Sequence, residues 1–265
     1  MSWIEALLLG LIQGLSEFLP ISSSGHLELG KALLGVEAKD PLLFSIAVHG
    51  ATALSTVVVY RKVILDLFRD ALKFQWNEGT RYLLYIVLSM IPVFFVGVFF
   101  EEQLEALFTG QIVFVGAMLI LTAILLYSST KMPDKGLAVN PKRAFIIGLA
   151  QAIAVLPGIS RSGATISTAL ICGVDRERAA RFSFLMVLPP ILGACLLKLK
   201  DYFEEGSQVA FADEKVGLIV GFIAAFVSGW AACTWMISIV KKAKLQYFAY
   251  YCALAGCLAI ASNWF

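Results

Sequence analysis

The chain has 265 residues, 59% of them hydrophobic and only 15% charged, with a mean hydropathy of +0.83. Soluble domains are about a quarter charged, so this composition is that of a protein built for lipid. A formal net charge of +2 gives no basic field for nucleic acid, and no nucleic-acid partner is expected.

The opening MSWIEALLLGLIQG has neither a basic leader nor an A-x-A-like cleavage site, and reads as mature structure. Residues 3–19 are apolar but carry Glu5, Gln13 and Glu17, then meet Pro20 and three serines; a short apolar piece, 27–36, follows. Six stretches reach the ~20 apolar residues that a membrane span needs: roughly 42–60, 82–100, 111–128, 182–199, 216–240 and 245–264. Between the third and fourth, 144–156 runs into PGISRSGAT, with 166–174 beyond it. Each of these two interrupted regions predicts a pair of half-length helices joined by a polar turn. The five cysteines (Cys172, Cys195, Cys233, Cys252, Cys257) lie in apolar stretches without C-x-x-C spacing and read as small buried hydrophobes. Glu5 reads as an interfacial residue. His49, within the first span, either faces a cavity or makes an interhelical hydrogen bond. The acidic runs at 101–105 and 204–205 read as solvated loop faces.

The two interrupted regions are copies of one another. With a shift of 138 residues and no gaps, GLIQGLSEFLPISSSGH lies on GLAQAIAVLPGISRSGA, and the match continues to Phe44-Ser45 over Phe182-Ser183. Gln13/Gln151, Ile21/Ile159, Ser22/Ser160, Ser24/Ser162, Gly25/Gly163, Gly35/Gly173 and Val36/Val174 are among the 11 identities in 36 positions. Each half then holds one interrupted element and three spans. Three is odd, so the second half is predicted to be inverted. The charges agree with that topology: 15 basic residues fall in 61–81, 129–143, 176–181 and 241–244, against five (Lys31, Lys39, Lys198, Lys200, Lys215) in the alternate segments. The split requires both interrupted elements to enter and leave on one side. The expectation is an all-α integral membrane protein with an inverted-topology repeat, six transmembrane helices and two re-entrant broken-helix hairpins. Its first repeat is 1–138 (hairpin 3–36) and its second 139–265 (hairpin 144–174), in one membrane domain with both termini outside the cytoplasm.

Non-helical backbone at membrane depth is tolerated where protein buries it or a watery cavity surrounds it, and inverted repeats bring two such tips together near the midplane. Each tip here leads into a helix N-terminus, whose unpaired N–H groups favour an anion. Ser22, Ser23, Ser24, Ser160, Ser162 and Thr165 add hydroxyls, and Arg161 adds a planar fork suited to phosphate. The serines and glycines at 24–25 and 162–163 serve equally well as helix caps and close-approach positions. Ser23 and His26 are three apart and Ser22 and His26 four apart, so each pair can share a helix face, with serine as nucleophile and histidine as base and acid. Glu17, an intramembrane carboxylate beside a phosphate site, is the expected holder of Mg²⁺ or Ca²⁺, with Gln13 one turn before it. In the second copy Val155 replaces Glu17 and Ala164 replaces His26. That asymmetry suits an active site.

These residues resemble the bacterial undecaprenyl-diphosphate phosphatases, the bacitracin-resistance family. Its first motif, (E/Q)-x-x-x-E leading into P-x-S-S-[ST]-G-H, matches Gln13 to Glu17 and Pro20 to His26; its second, P-G-x-S-R-S-x-x-T, matches Pro157 to Thr165. The resemblance covers essentially the whole chain. It implies a metal-dependent membrane hydrolase in the bacterial cytoplasmic (inner) membrane, with its site open to the periplasmic or outer face. The substrate would be undecaprenyl diphosphate, cleaved to the monophosphate to recycle the carrier lipid of peptidoglycan synthesis. Catalysis would fall to Ser23, His26, Glu17 and Arg161, and phosphate binding to Ser22, Ser24, Ser160, Arg161, Ser162 and Thr165. Bacitracin would compete by sequestering the substrate; membrane lipid surrounds the chain, and a homodimer is allowed. The other class of function is a lipid-phosphate transporter or flippase, which needs cations for phosphate but has no use for Glu17 with His26.

Overall fold

The computed structural model describes residues 1–35, 41–100, 103, 111–204 and 211–262. Val36, Lys39, Glu205 and the acidic run at 101–105, apart from Gln103, lie outside it. The described residues form eleven α-helices: α1 (Trp3–Phe18), α2 (Ser23–Leu34), α3 (Pro41–Leu72), α4 (Glu78–Phe99), α5 (Ile112–Thr130), α6 (Pro141–Ile153), α7 (Arg161–Ile171), α8 (Arg176–Met186), α9 (Leu188–Glu204), α10 (Phe211–Lys241) and α11 (Gln246–Ala261). The one β-type feature among them is an isolated bridge between Leu137 and Val174.

Local chemistry explains the boundaries. Ser2 and Glu5 form a reciprocal capping box at α1: Glu5 Oε2 accepts from Ser2 N at 2.8 Å and Ser2 Oγ from Glu5 N at 3.2 Å. Glu5 is therefore a helix cap. Asn77 caps α4 and Asn140 caps α6, where Pro141 takes a first-turn position. The linker expected at 61–81 is helical as far as Leu72. Exposed ion pairs Asp66–Arg69 and Asp70–Lys73, each three residues apart, suit that continuation. The span expected at 182–199 is broken at Val187, because Pro189 and Pro190 lack the N–H groups that would bond back to the preceding turn.

Both interrupted regions are helix–turn–helix pairs: α1 packs on α2, and α6 on α7. Their helices begin 138 residues apart, at Trp3 and Pro141 and at Ser23 and Arg161. Gly35 and Gly173, also 138 apart, both take the left-handed backbone that glycine adopts without steric cost (φ +61° and +78°).

Among the described residues, five segments are long and apolar enough to cross a membrane: Leu43–Leu72, Glu78–Phe99, Ile112–Thr130, Arg176–Lys200 and Lys215–Lys241. The protein is a multi-pass membrane protein. The sixth expected span, 245–264, appears as α11 with 16 residues, or about 24 Å of helix against a hydrocarbon core of about 30 Å.

The chain falls into two compact units, each drawing on both halves of the sequence. One comprises Met1–Phe18, Ser23–Val59 and Val187–Trp235; the other comprises Leu19–Ser22, Tyr60–Met186 and Met236–Phe265. In the first, α1 lies against α10 through a seam of small residues. A Cβ on Gly10 would sit 2.5 Å from the Gly221 carbonyl oxygen, and one on Gly14 would meet Ser228 Oγ. Ala6, Leu9, Leu27, Phe44, Val48, Ala51 and Ala225 form the adjoining apolar core. In the second, α4 packs on α6, α5 on α11, and α7 on α5, α6 and α8. A Cβ on Gly148 would strike the Ser89 backbone, so α6 approaches α4 at backbone contact.

The polar ends of this second unit are tied together. Arg143, at the start of α6, donates from Nε to the Cys172 carbonyl at 3.2 Å, just beyond the end of α7. Asp175 N donates to Leu137 O at 3.0 Å. Arg176 pairs with Asp134 at 3.5 Å and Lys241 with Glu177 at 2.9 Å.

Candidate active site

In the first unit, Gln13 and Glu17 stand one turn apart on α1, and α2 begins at Ser23. Gln13 is fully buried and Glu17 only 7% exposed. Glu17 Oε2 accepts from Gln13 Nε2 at 3.0 Å and from Ser23 Oγ at 2.8 Å. A carboxylate removed from water is tolerable only with such donors around it. Ser23 and His26 are half-buried in the first turn of α2, and the Ser23 hydroxyl gives its hydrogen to Glu17. Ser22 departs from expectation: it precedes α2 with φ +72°, so the helix face assumed for Ser22 and His26 does not include it. A serine in left-handed backbone is uncommon, and such outliers gather at functional turns.

The second unit contains the other turn. Ser160 caps α7, its Oγ accepting from Gly163 N at 3.1 Å. Ser160 Oγ and Ser162 Oγ are 3.3 Å apart, and Thr165 Oγ1 donates to the Arg161 carbonyl at 2.9 Å. Arg161 is the first residue of α7 and half-buried. The cap of α7 is thus Ser160, whereas the sequence offers the serines and glycines at 24–25 and 162–163. Segment Leu19–Ser22 belongs to this unit, and Ser162 Oγ donates to the Leu19 carbonyl at 3.3 Å. A Cβ on Gly163 would lie 3.2 Å from Pro20 Cβ. Residues of the two serine-rich turns thus touch, and Gly163 keeps the room for that contact. Thr122, on α5, accepts from Ser160 N at 3.1 Å and donates to the Gly158 carbonyl at 3.4 Å. Thr122 carries no sequence signal: it is one threonine in an apolar span.

A hard divalent cation prefers oxygen donors. Gln13 Oε1 is buried without a hydrogen-bond partner, and it is an uncharged oxygen beside the Glu17 carboxylate and the Ser23 hydroxyl. That donor set fits Mg²⁺ or Ca²⁺ with phosphate oxygens completing the shell. No group of three or more His, Cys, Asp or Glu residues is assembled among the described residues, so the fit depends on substrate oxygens.

His49 bonds within its own helix, Nδ1 to the Ser45 carbonyl at 2.9 Å, and lines a cavity. Of the two sequence alternatives the cavity-facing one holds, and the interhelical bond is not found among the described residues. The five cysteines are all free; Cys233 and Cys252 are buried, Cys172 and Cys195 half-buried, and Cys257 is exposed.

The fold and these turns define a multi-pass membrane protein with a buried carboxylate at a serine-rich helix break. Residues 6–258 match the family described as Bacitracin resistance protein BacA, and the chain belongs to that family. It is 55% identical over 262 residues to the undecaprenyl-diphosphatase of Christiangramia forsetii, covering 98% of each protein. It is 53% identical over 262 residues to that of Parabacteroides distasonis, again with 98% of each covered. A more distant relative of the same name, from Methanobrevibacter smithii, is 36% identical over 279 residues, 99% of this chain and 98% of its own.

Proposed function

We propose that the chain hydrolyses undecaprenyl diphosphate to undecaprenyl phosphate and inorganic phosphate, recycling the lipid carrier of cell-wall synthesis. The chain is a hydrolase of the bacitracin-resistance family, and its relatives carry the name undecaprenyl-diphosphatase. At residue level the reading rests on one observation, the hydrogen bond from Ser23 to the buried Glu17 carboxylate. Ser23 Oγ attacks the terminal phosphorus as Glu17 takes its proton; the bond to the bridging oxygen breaks, and undecaprenyl phosphate leaves. Water then cleaves the phosphoserine, with His26 as base, releasing phosphate and restoring the serine. Arg161 and the donors of Ser22, Ser24, Ser160, Ser162 and Thr165 hold the phosphate oxygens and the charge that builds on them. Glu17 and Gln13 would hold a divalent cation, Mg²⁺ or Ca²⁺, which supplies neutralising charge at the phosphates.

The same reading gives the chain inverted repeats, re-entrant hairpins and six crossings, with α11 as a short sixth. The 138-residue offset between helix starts supports the repeat. The Arg143–Cys172 bond supports re-entry, since it joins the start of α6 to the end of α7. The ties among 134–143, 172–177 and Lys241 support one basic, cytoplasmic side of the bacterial inner membrane, with the site opening to the periplasm. Bacitracin competes by sequestering the lipid diphosphate, and a homodimer fits the same architecture. The transporter reading loses ground to the family membership. Phosphate release by purified protein in detergent is the test: it should require Mg²⁺ or Ca²⁺ and stop in EDTA. Full activity in EDTA would refute the metal assignment.

A further inference from the structure

α3 and α9 enclose an open cavity of about 170 Å³ within the first unit, and its wall residue Cys195 lies within electrostatic reach of Glu17. Ser45, Ile46 and His49 line it from α3, and Ile191, Ala194, Cys195 and Lys198 from α9. The spacings on each helix put these residues on one face. The catalytic reading uses none of them.

The cavity's chemistry is cationic on an apolar wall. No carboxylate lines it. The Ser45 carbonyl can only accept, so His49 Nδ1 carries the hydrogen, leaving Nε2 for a second partner. Lys198 is exposed two residues before the end of the span Arg176–Lys200, where a long lysine stem lies on apolar surface and its ammonium stays accessible. Among the described residues no carboxylate pairs with it, whereas Lys200, two residues on, pairs with Glu204 at 3.5 Å. Ile46, Ile191 and Ala194 complete the wall with hydrocarbon. An ammonium and an imidazole answer a phosphate, and aliphatic side chains beside them answer the first isoprene units of a prenol.

We propose that this cavity is a second phosphate-binding subsite, lined by none of the residues assigned to the catalytic turns. It takes a phosphate group either carried on a prenyl chain, as substrate or product, or free after cleavage. The subsite deepens the diphosphatase reading and rests on it.

The test compares the wild type with Lys198→Gln, Lys198→Arg, His49→Gln and, as control, Lys200→Gln, all purified in detergent. Two readouts are needed: kinetics on a prenyl diphosphate, and direct binding of farnesyl phosphate and of inorganic phosphate to a Ser23→Ala background by calorimetry. Lys198→Gln and His49→Gln should each raise KM and weaken phosphate binding at least about fivefold, with kcat changed less than KM. Lys198→Arg should restore most of the loss, and Lys200→Gln should change neither. Loss of farnesyl phosphate binding alone identifies the lipid-borne phosphate as occupant; loss of inorganic phosphate binding identifies the released ion. Binding and KM unchanged in both cavity variants, or an equal effect from Lys200→Gln, would overturn the subsite. Because binding is measured without turnover, a wild type that failed to hydrolyse the diphosphate would refute the activity and leave the subsite separately judged.

Discussion

Replacing Glu17 by Gln keeps the side chain's shape and removes its charge. In the structure the carboxylate accepts from Gln13 Nε2 and Ser23 Oγ at 3.0 and 2.8 Å. Hydrogen bonds to charged groups contribute about 1.5–3 kcal/mol and neutral ones about 0.5–1.5, so each bond weakens by roughly 1–1.5 kcal/mol. Two such losses at the nucleophile, about 2–3 kcal/mol, slow turnover by about 30- to 160-fold. Losing the proton acceptor adds to that. Stability should respond differently, because a buried carboxylate carries a desolvation penalty that the amide lacks. The midpoint of thermal unfolding should therefore hold or rise while kcat falls at least about 30-fold. Phosphate release at saturating substrate and Mg²⁺, with fluorescence-monitored unfolding on the same samples, measures both. A kcat within threefold of wild type would refute the reasoning; a kcat loss matched by a collapsed midpoint would make Glu17 a structural residue.

Arg161→Lys keeps the charge and loses the bidentate fork; kcat should fall at least about 10²-fold, roughly 2.7 kcal/mol, with a smaller change in KM. Combined with Ser23→Ala it should lose far less than the product of the single effects, as measured by steady-state kinetics of the three variants. Thr122→Val strips the partner from the buried Ser160 N–H and should cost about 1–3 kcal/mol of stability, read as a lowered unfolding midpoint with a raised KM. Gly148→Ala drives a methyl into the Ser89 backbone and should lower the yield of folded protein, whereas Gly50→Ala, with open space around its position, should not. Cysteines introduced at Lys62 and Lys200, with the native cysteines removed, should differ in intact cells: an impermeant thiol reagent should label position 200 and spare 62.

The interrupted helices were legible because their polarity conflicts with their surroundings: Ser-rich turns after Pro20 and Pro157 cannot continue an apolar helix, and the 138-residue offset marks where both begin. The S-x-x-E pattern of Ser2 and Glu5 was also there to be read as a cap, although composition alone made Glu5 an interfacial residue. Other features depend on tertiary placement. The orphaned Gln13 oxygen and the Thr122 brace are set by which neighbours the backbone brings close. Apolar periodicity is blind to the break at Val187, since a proline pair inside a hydrophobic run keeps the run hydrophobic. It is equally blind to the extension of α3 to Leu72, where charged residues remain good helix formers.

The central claim is that the phosphoryl group of a lipid diphosphate is transferred through Ser23. The most direct measurement is inorganic phosphate released from undecaprenyl diphosphate by the purified chain and its Ser23→Ala variant, side by side in detergent with Mg²⁺. The account predicts sustained turnover by the wild type, and a rate at least about 10³-fold lower in the variant, as expected when a nucleophile is removed. Equal rates from the two proteins would contradict it.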